Sequence, residues 1–447
     1  MRSLEHKLTK NVQEESLKTL EKLISYPSVL NEKAEGTPFG EDIQACLEAT
    51  LEECKSLGFE TTIDPKGYYG YAEMGSGDEL MVVLCHLDVV PADNKDEWKY
   101  DPFKLTIADD KLYGRGTQDD KGPSVAALYA LKALMDEGYK LNKRVRFVFG
   151  TDEENLWRCM DQYNAKEEKA SFGFVPDADF PLTYAEKGLL QCYLNGKGST
   201  ELLLNNNGAF NVVPDKGVYN GNKIDEVKSE LDTLGFEYED NNGEIIVKGK
   251  SVHSKNADEG VNALTRLVAA LNKYYDSDTL AFITEYITEK PKATGIFGDV
   301  QDEVSGPLTV NVSRLIINEN ETKIGIDMRI PVTADKDNIV KQLKEAAKEY
   351  NLTYEEYDYL RSLYVPLDSE LVQTLLSVYR EMTGDHSEPI SSGGATFART
   401  MDNCVAFGAR LEDVPVTFHQ IDECMPLSNY YDAMEIYAEA IKKLACK

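Results

Sequence analysis

The chain has 447 residues, with 48 Lys and Arg set against 78 Asp and Glu, a formal net charge of −30 at pH 7. This length provides for two or more domains with sizeable cores, and the acidic balance disfavours binding to nucleic acid or to anionic membranes. No stretch approaches the roughly 20 apolar residues of a membrane span, and MRSLEHKLTKNVQEESL lacks a secretory apolar core, so a cytoplasmic enzyme is expected.

In chain order, residues 10 to 26 and 40 to 58 carry helical spacing, as in Ile43, Cys46, Leu47, Leu51 and Cys54, stopped by Gly58. MVVLCHLDVVP (81–91) reads as a buried strand through Leu84. His86 and Asp88 follow two apart, a spacing that shares one face of a strand. Lys111 to Tyr113 is a short strand leading into GRGTQDDKGP, and Gly122–Pro123 starts a helix that Gly138 ends. RVRFVFG, with Val145, Phe147 and Phe149, is a strand followed at once by GTDEEN, and FGFV (172–175) is a strand followed by Pro176–Asp177. Acidic residues just past successive strands are the pattern of an open α/β sheet whose site lies beyond the strands' carboxyl ends. His86, Asp119, Glu153, Glu154 and Asp177 are therefore expected to converge.

After EKGLLQCYL the rhythm changes, and a second, inserted α+β domain is placed at 187–384. Within it EVKSELDTLGFEYE and DNIVKQLKEAAKEYNLTYEEY each read as helix then strand, hinting at two similar halves. From Ser387, GGATFARTMDNCVAFGA and a final amphipathic helix complete the first domain, assigned residues 1–186 and 385–447. The eight cysteines include no C-x-x-C pair and are expected as reduced thiols. Cys85 falls on the strand face opposite His86 and reads as buried filler.

Only five histidines occur. A single carboxylate in a loop is ordinarily solvated, but several gathered at one sheet edge repel one another unless a cation compensates. Imidazole mixed with carboxylates and without thiolate suits Zn²⁺, with Mn²⁺ or Co²⁺ as alternatives. HLDVVP, GRGTQDDKGP, FGTDEEN, FVPDADFP, GKSVHS, SGGATFAR and HQIDE, in this order, resemble the di-zinc metallopeptidase family of aminoacylases, carnosinases and Xaa-His dipeptidases. The likeness covers nearly the whole chain. Within the family, the roughly 200-residue insert and GTDEENLW resemble the bacterial cytosolic dipeptidases of broad specificity for unblocked dipeptides, β-alanyl ones included.

The resemblance implies an α/β catalytic domain with a mixed sheet flanked by helices, an inserted α+β lid and two divalent ions. Asp119 would bridge the ions, with His86 and Asp177 on one and Glu154 and His419 on the other. Asp88 would fix the ring of His86, and Asp120 would be structural. Glu153 would be the general base for a metal-bridging water. His253, from the lid, would donate to the developing oxyanion with Asn211 as a companion contact, and Arg329 would take the substrate carboxylate. Gly393, Gly394 and Thr396 would line the substrate, although a plain helix-start turn explains them nearly as well. His6 and His386 match no motif and are expected on the surface.

The sequence departs from the family pattern in PADNKDEWKYDPF, in Asn155–Leu156 and in SVHSKNADEG, none of which holds a proposed ligand. The expected activity is dipeptide hydrolysis by a monomer, since a doubled insert resembles the form that supplies its own lid histidine. N-acyl amino acid deacylation by the same metal core, or a silent binding protein, are the alternatives. No G-x-x-x-x-G-K-[ST] loop for phosphate occurs.

Overall fold

The structure, a computed structural model, describes residues 8–447; His6 lies outside the described residues. The chain divides into two compact units. The first holds the described residues up to Tyr184 together with Tyr364–Ile390 and Thr396–Lys447, and the second holds Ala185–Leu363 and Ser391–Ala395.

The first unit is built on a mixed sheet in the order Glu60–Ile63, Tyr69–Gly75, Arg144–Gly150, Leu80–His86, Phe172–Val175, Cys404–Ala406. The first two strands and the contact to Arg144–Gly150 are antiparallel, whereas Arg144–Gly150, Leu80–His86, Phe172–Val175 and Cys404–Ala406 run parallel. Every residue of Leu80–His86 is buried, and so are the last six of Arg144–Gly150. The Val-Phe-Phe alternation is thus not an in/out pattern: both faces are covered, as parallel strands require. Helix Lys121–Asp136 packs on Lys10–Ile24 and on the long closing helix Leu427–Ala445.

Helix Glu370–Thr383 also packs on Leu427–Ala445 and belongs to this unit, although its sequence was assigned to the insert. Its buried stripe of Leu371, Val372, Leu375, Leu376 and Val378 announces a helix without saying which core receives it. Residues 391–395, expected in the catalytic part, group instead with the second unit.

The second unit carries an antiparallel five-stranded sheet, ordered Leu204–Asn207, Thr309–Ile317, Glu321–Ile330, Gly188–Lys197, Thr353–Leu360, and a three-stranded sheet of Lys216–Tyr219, Ile245–Lys248 and Tyr238–Asp240. Both helix-then-strand stretches are present, as Ile224–Leu234 with Tyr238–Asp240 and as Lys336–Glu349 with Thr353–Leu360. They serve sheets of different size but one apolar core, in which Val227 and Leu231 join Ile339 and Leu343. Among the described residues, no helix is long and apolar enough to cross a membrane.

Candidate metal centre

Three parallel strands end side by side in the first unit. Leu80–His86 delivers His86 as its last residue, Arg144–Gly150 leads directly to Glu153 and Glu154, and Phe172–Val175 leads to Asp177. Asp119 arrives from the loop before helix Lys121–Asp136. At Gly122 that helix crowds its own approach loop, since a Cβ there would lie 2.1 Å from the Thr117 carbonyl oxygen, a fit only glycine allows. His419 comes from the loop between strands Ala409–Arg410 and Cys424–Pro426, with its backbone in the left-handed region at φ 60°.

Asp119 is the hub. Its Oδ1 lies 2.9 Å from His86 Nε2 and its Oδ2 lies 3.0 Å from His419 Nε2. His86 Nε2 is also 3.6 Å from Asp177 Oδ2, and His419 Nε2 is 3.0 Å from Glu154. Among the described residues, two sets of side chains could each hold an ion, with the potential ligand atoms inside each set within 4.8 Å of one another: His86, Glu153 and Asp177, and Asp119, Glu154 and His419. Glu153, expected as a base beside the ligands, thus comes within ligand range of the first set. Asp120 points away; its Oδ2 accepts from the His86 backbone N–H at 3.1 Å and from the Ser124 hydroxyl at 2.8 Å, as a structural residue would.

Asp88 departs from its expected role. Strand pairing stops at His86, and it is the Asp88 backbone carbonyl, 2.9 Å from His86 Nδ1, that orients the ring, while the carboxylate oxygen stands 3.6 Å off. The buried carboxylate instead accepts the backbone N–H groups of Glu153 and Glu154, both at 3.0 Å. It shapes the turn that presents those two side chains.

Four carboxylates and two imidazoles crowded into one cluster, buried at His86 and open at His419, set up a strong field. Burial pushes the Glu153 carboxyl well up, an effect that the charges of Asp177, Glu154 and Asp119 reinforce against His86. Burial and the charge of Asp119 raise Glu154 to about 7. Burial works against protonation of His419, yet hydrogen bonds to Asp119 and Glu154 overcome it and lift the ring to about 11. His86 is raised in the same way by Asp119, Asp177 and Asp88 despite its burial. Asp119 is buried, but the two rings draw it below the ordinary carboxylate range. The cluster therefore attracts positive charge strongly, and its mixed nitrogen and oxygen donors fit divalent transition ions better than Ca²⁺ or Mg²⁺. Cys85, whose thiol burial raises well above its ordinary value, stands as inert filler.

The second unit holds Asn211, His253, Arg329, Gly393 and Gly394, whereas Thr396 and His386 belong to the first. Ser254 N–H donates to the Asn211 carbonyl at 2.8 Å and Val212 pairs with His253, so the two segments run side by side with both Asn211 and His253 exposed. Nδ1 of His253 accepts the Lys255 N–H at 3.0 Å. Arg329 is buried, contrary to a surface ion pair. It grips Asp327 through Nε at 2.7 Å and Nη2 at 3.1 Å, and it donates from Nη1 to the Gly393 carbonyl at 2.8 Å. A Cβ on Gly393 would come within 2.7 Å of Lys255 Cβ, so the glycine lets this loop press against the segment following His253. Gly394 N–H donates to Ser392 Oγ at 2.9 Å, and Thr396 caps the short helix Phe397–Thr400. His386 is exposed.

Several residues escaped the sequence reading. Glu423, inside the quoted HQIDE, is fully buried and accepts backbone N–H groups of Gly116, Gln118 and Asp119 while pairing with Arg115 at 2.7 Å. Breaking such a buried pair costs roughly 3–5 kcal/mol. Buried Asn311 donates to the carbonyl of Val212 and to the Ser254 hydroxyl, both at 2.9 Å, and so ties the Asn211 and His253 segments together. Each spends most of its side-chain bonds on backbone groups, which no spacing rule reveals; only the position of Glu423 four residues after His419 offered a clue.

A family profile described as "Peptidase family M20/M25/M40" matches residues 82–443. A relative from Bacillus subtilis (strain 168), named "Putative dipeptidase YtjP", is 36% identical over 458 residues and covers 97% of each chain. Among solved structures, the dipeptidase Dug1p of Saccharomyces cerevisiae superposes with a TM-score of 0.63 at 16% identity, over 97% of this chain and 96% of that one. Human carnosine dipeptidase 1 gives 0.61 at 16% identity, over 96% and 95%. These last two likenesses are of fold.

Proposed function

The chain belongs to peptidase family M20/M25/M40, a family of metallopeptidases, and from that premise we propose that it hydrolyses unblocked dipeptides, β-alanyl and Xaa-His types included, with two divalent ions. The observation that carries the reading is the placement of Asp119 between two imidazoles, 2.9 Å from one and 3.0 Å from the other, with a further carboxylate beside each ring. The residues proposed to hold the ions are Asp119 between them, His86 and Asp177 on one side, and Glu154 and His419 on the other. Zn²⁺ is the proposed occupant, with Mn²⁺ or Co²⁺ compatible with the same donors. When bound, the ions would supply Lewis-acid polarisation of the scissile carbonyl and a nucleophile at neutral pH.

Glu153 is assigned the proton transfer, from attacking water to leaving amine. Its raised proton affinity and its tether, a backbone N–H on Asp88, support a base held at a fixed place. His253 is assigned the oxyanion donor, with Asn211, paired to the same segment, beside it. Arg329 spends three of its N–H donors on Asp327 and Gly393 and has two more for a substrate carboxylate. Gly393 and Gly394 are assigned backbone contacts and Thr396 a turn that supports them. A monomeric, cytoplasmic enzyme is proposed; the eight unpaired cysteines suit a reducing compartment.

The test is a panel of dipeptides assayed beside N-acetyl and N-succinyl amino acids, with metal content measured on the same preparation. Hydrolysis of free dipeptides at about two ions per chain is the expected result. Turnover confined to N-acyl substrates would replace it with deacylation, and the absence of any amide hydrolysis would sink catalysis altogether. Light scattering during gel filtration checks the monomer.

A further inference from the structure

His419 is the exposed member of the cluster: 47% of its side chain is open to solvent, against 13% for Asp119. Residues 411–423, which carry it, form neither helix nor strand. Packing alone does not hold this ring at 3.0 Å from both Asp119 and Glu154, so something must fix the loop.

Two side chains do so in opposite directions. From the His419 side, Glu423 Oε1 accepts the N–H groups of Gly116 at 3.1 Å, Gln118 at 2.9 Å and Asp119 at 3.2 Å. From the Asp119 side, Gln118 Oε1 accepts the N–H groups of Thr417 at 2.8 Å and Phe418 at 3.0 Å, and its Nε2 donates to the carbonyls of Pro415 at 3.1 Å and Cys424 at 3.3 Å. Both side chains are buried, Gln118 at 5% exposure. Each satisfies the backbone of the loop that carries the other's neighbour: Gln118 precedes Asp119, and the N–H groups it receives belong to the two residues before His419. The buried Arg115 guanidinium closes the arrangement on Glu423 Oε2 at 2.7 Å.

We infer that Gln118 and Glu423 form a reciprocal brace that sets the separation of the Asp119 carboxylate and the His419 ring. They are positioning residues for the cation assigned to Asp119, Glu154 and His419. The inference rests on the reading that those three side chains hold an ion. Outer residues of this kind alter affinity by moving ligands rather than by touching the ion. The Gln118 side chain acts on one of the two cation positions, since it bonds only the segment that carries His419, whereas Glu423 holds the backbone of Asp119, which both positions share.

The experiment is titration of chelator-treated full-length protein with Co²⁺, followed by calorimetry and by the visible absorption of the bound ion. Gln118→Leu, which keeps volume but no polar contact, and Gln118→Ala, which fills no new space, are compared with the unaltered chain; the pair guards against a packing failure in either. The expected result is one ion bound as in the unaltered protein and the other weakened about 10- to 100-fold, with a changed absorption spectrum for the weakened ion alone. Identical affinities and spectra overturn the brace, and so does equal loss of both ions, which marks a general structural role. If the unaltered protein binds no Co²⁺, the metal-centre reading falls and the brace with it, whereas two normal ions in both variants reject the brace alone.

Discussion

The two units hold their functional side chains by different means. In the first, His86, Asp119, Glu153, Glu154 and Asp177 stand at the ends of buried strands or in loops clamped by side-chain bonds to the backbone. In the second, Asn211 and His253 are exposed on two short segments joined by backbone pairing, and only Arg329 is locked in place. Groups that must cluster like charges are fixed in advance, because their mutual repulsion would otherwise spread them apart. The groups proposed to meet a substrate carry no such burden, and two of them, Asn211 and His253, remain open. Changes to the proposed ligands of the first unit and to their tethers should therefore register in ion binding, whereas changes in the second unit, like loss of the proton acceptor Glu153, should register in turnover with the ions untouched.

Glu153→Gln sharpens this contrast most. It keeps the size of the side chain and the backbone tether to Asp88 but removes the proton acceptor, so kcat is expected to fall by about 10²- to 10⁴-fold while metal analysis still finds two ions. Loss of an ion together with activity would place Glu153 among the ligands, as its closeness to His86 and Asp177 permits. His253→Ala follows, with kcat lowered by about 10²- to 10³-fold, the usual cost of one oxyanion donor, and Co²⁺ affinity unchanged. A shift in that affinity would erase the distinction between the units.

Asp88→Asn breaks the first unit at its tether. The amide retains one acceptor for the two N–H groups of Glu153 and Glu154, so one is left unpaired. Ion affinity should drop by about 10- to 100-fold, measured by calorimetry. Because the Asp88 backbone carbonyl rather than its carboxylate orients the His86 ring, the weakened ion should be the one near Glu154. Selective loss of the His86 ion would restore the carboxylate to the role that sequence suggested.

How much of this was legible in sequence follows the same division. Apolar runs ending in His86, Gly150 and Val175 mark parallel strands, and a parallel sheet necessarily brings their carboxyl ends to one edge. The gathering of His86, Glu153, Glu154 and Asp177 was thus readable from residue type and strand position. The resemblance, not spacing, suggested His253 and Arg329, and nothing in the letters indicated that Asp327 and Gly393 would share the arginine's fork. Gln118 and Glu423 went unread because they bind backbone N–H and C=O groups, which every residue possesses. Helix Glu370–Thr383 was misplaced for a related reason: an amphipathic stripe specifies a buried face but not the partner that buries it.

The smallest expected effect is on pH, and it again separates the units. In the metal-free protein, carboxylate neighbours raise His86 and lift His419 from an ordinary 6.5 to about 11. A raised folded-state value means that the ring–carboxylate contacts stabilise the metal-free fold fully below the ordinary histidine value and lose that contribution as pH climbs through the folded one. Asp119, drawn downward, contributes above its ordinary 3.8 and fails as pH falls below it. At pH 8 the His419 ring therefore carries a proton that a cation must displace, since only the neutral imidazole is a ligand. Co²⁺ binding at pH 8 should release at least the His419 proton, seen as a dependence of the calorimetric heat on buffer ionisation enthalpy, and affinity should rise about tenfold per pH unit for that proton. His253→Ala should leave that proton count unchanged, because its imidazole belongs to the unit to which no ion is assigned. Binding that releases no proton at pH 8, or a count altered by His253→Ala, would show that the field around Asp119 does not govern the site.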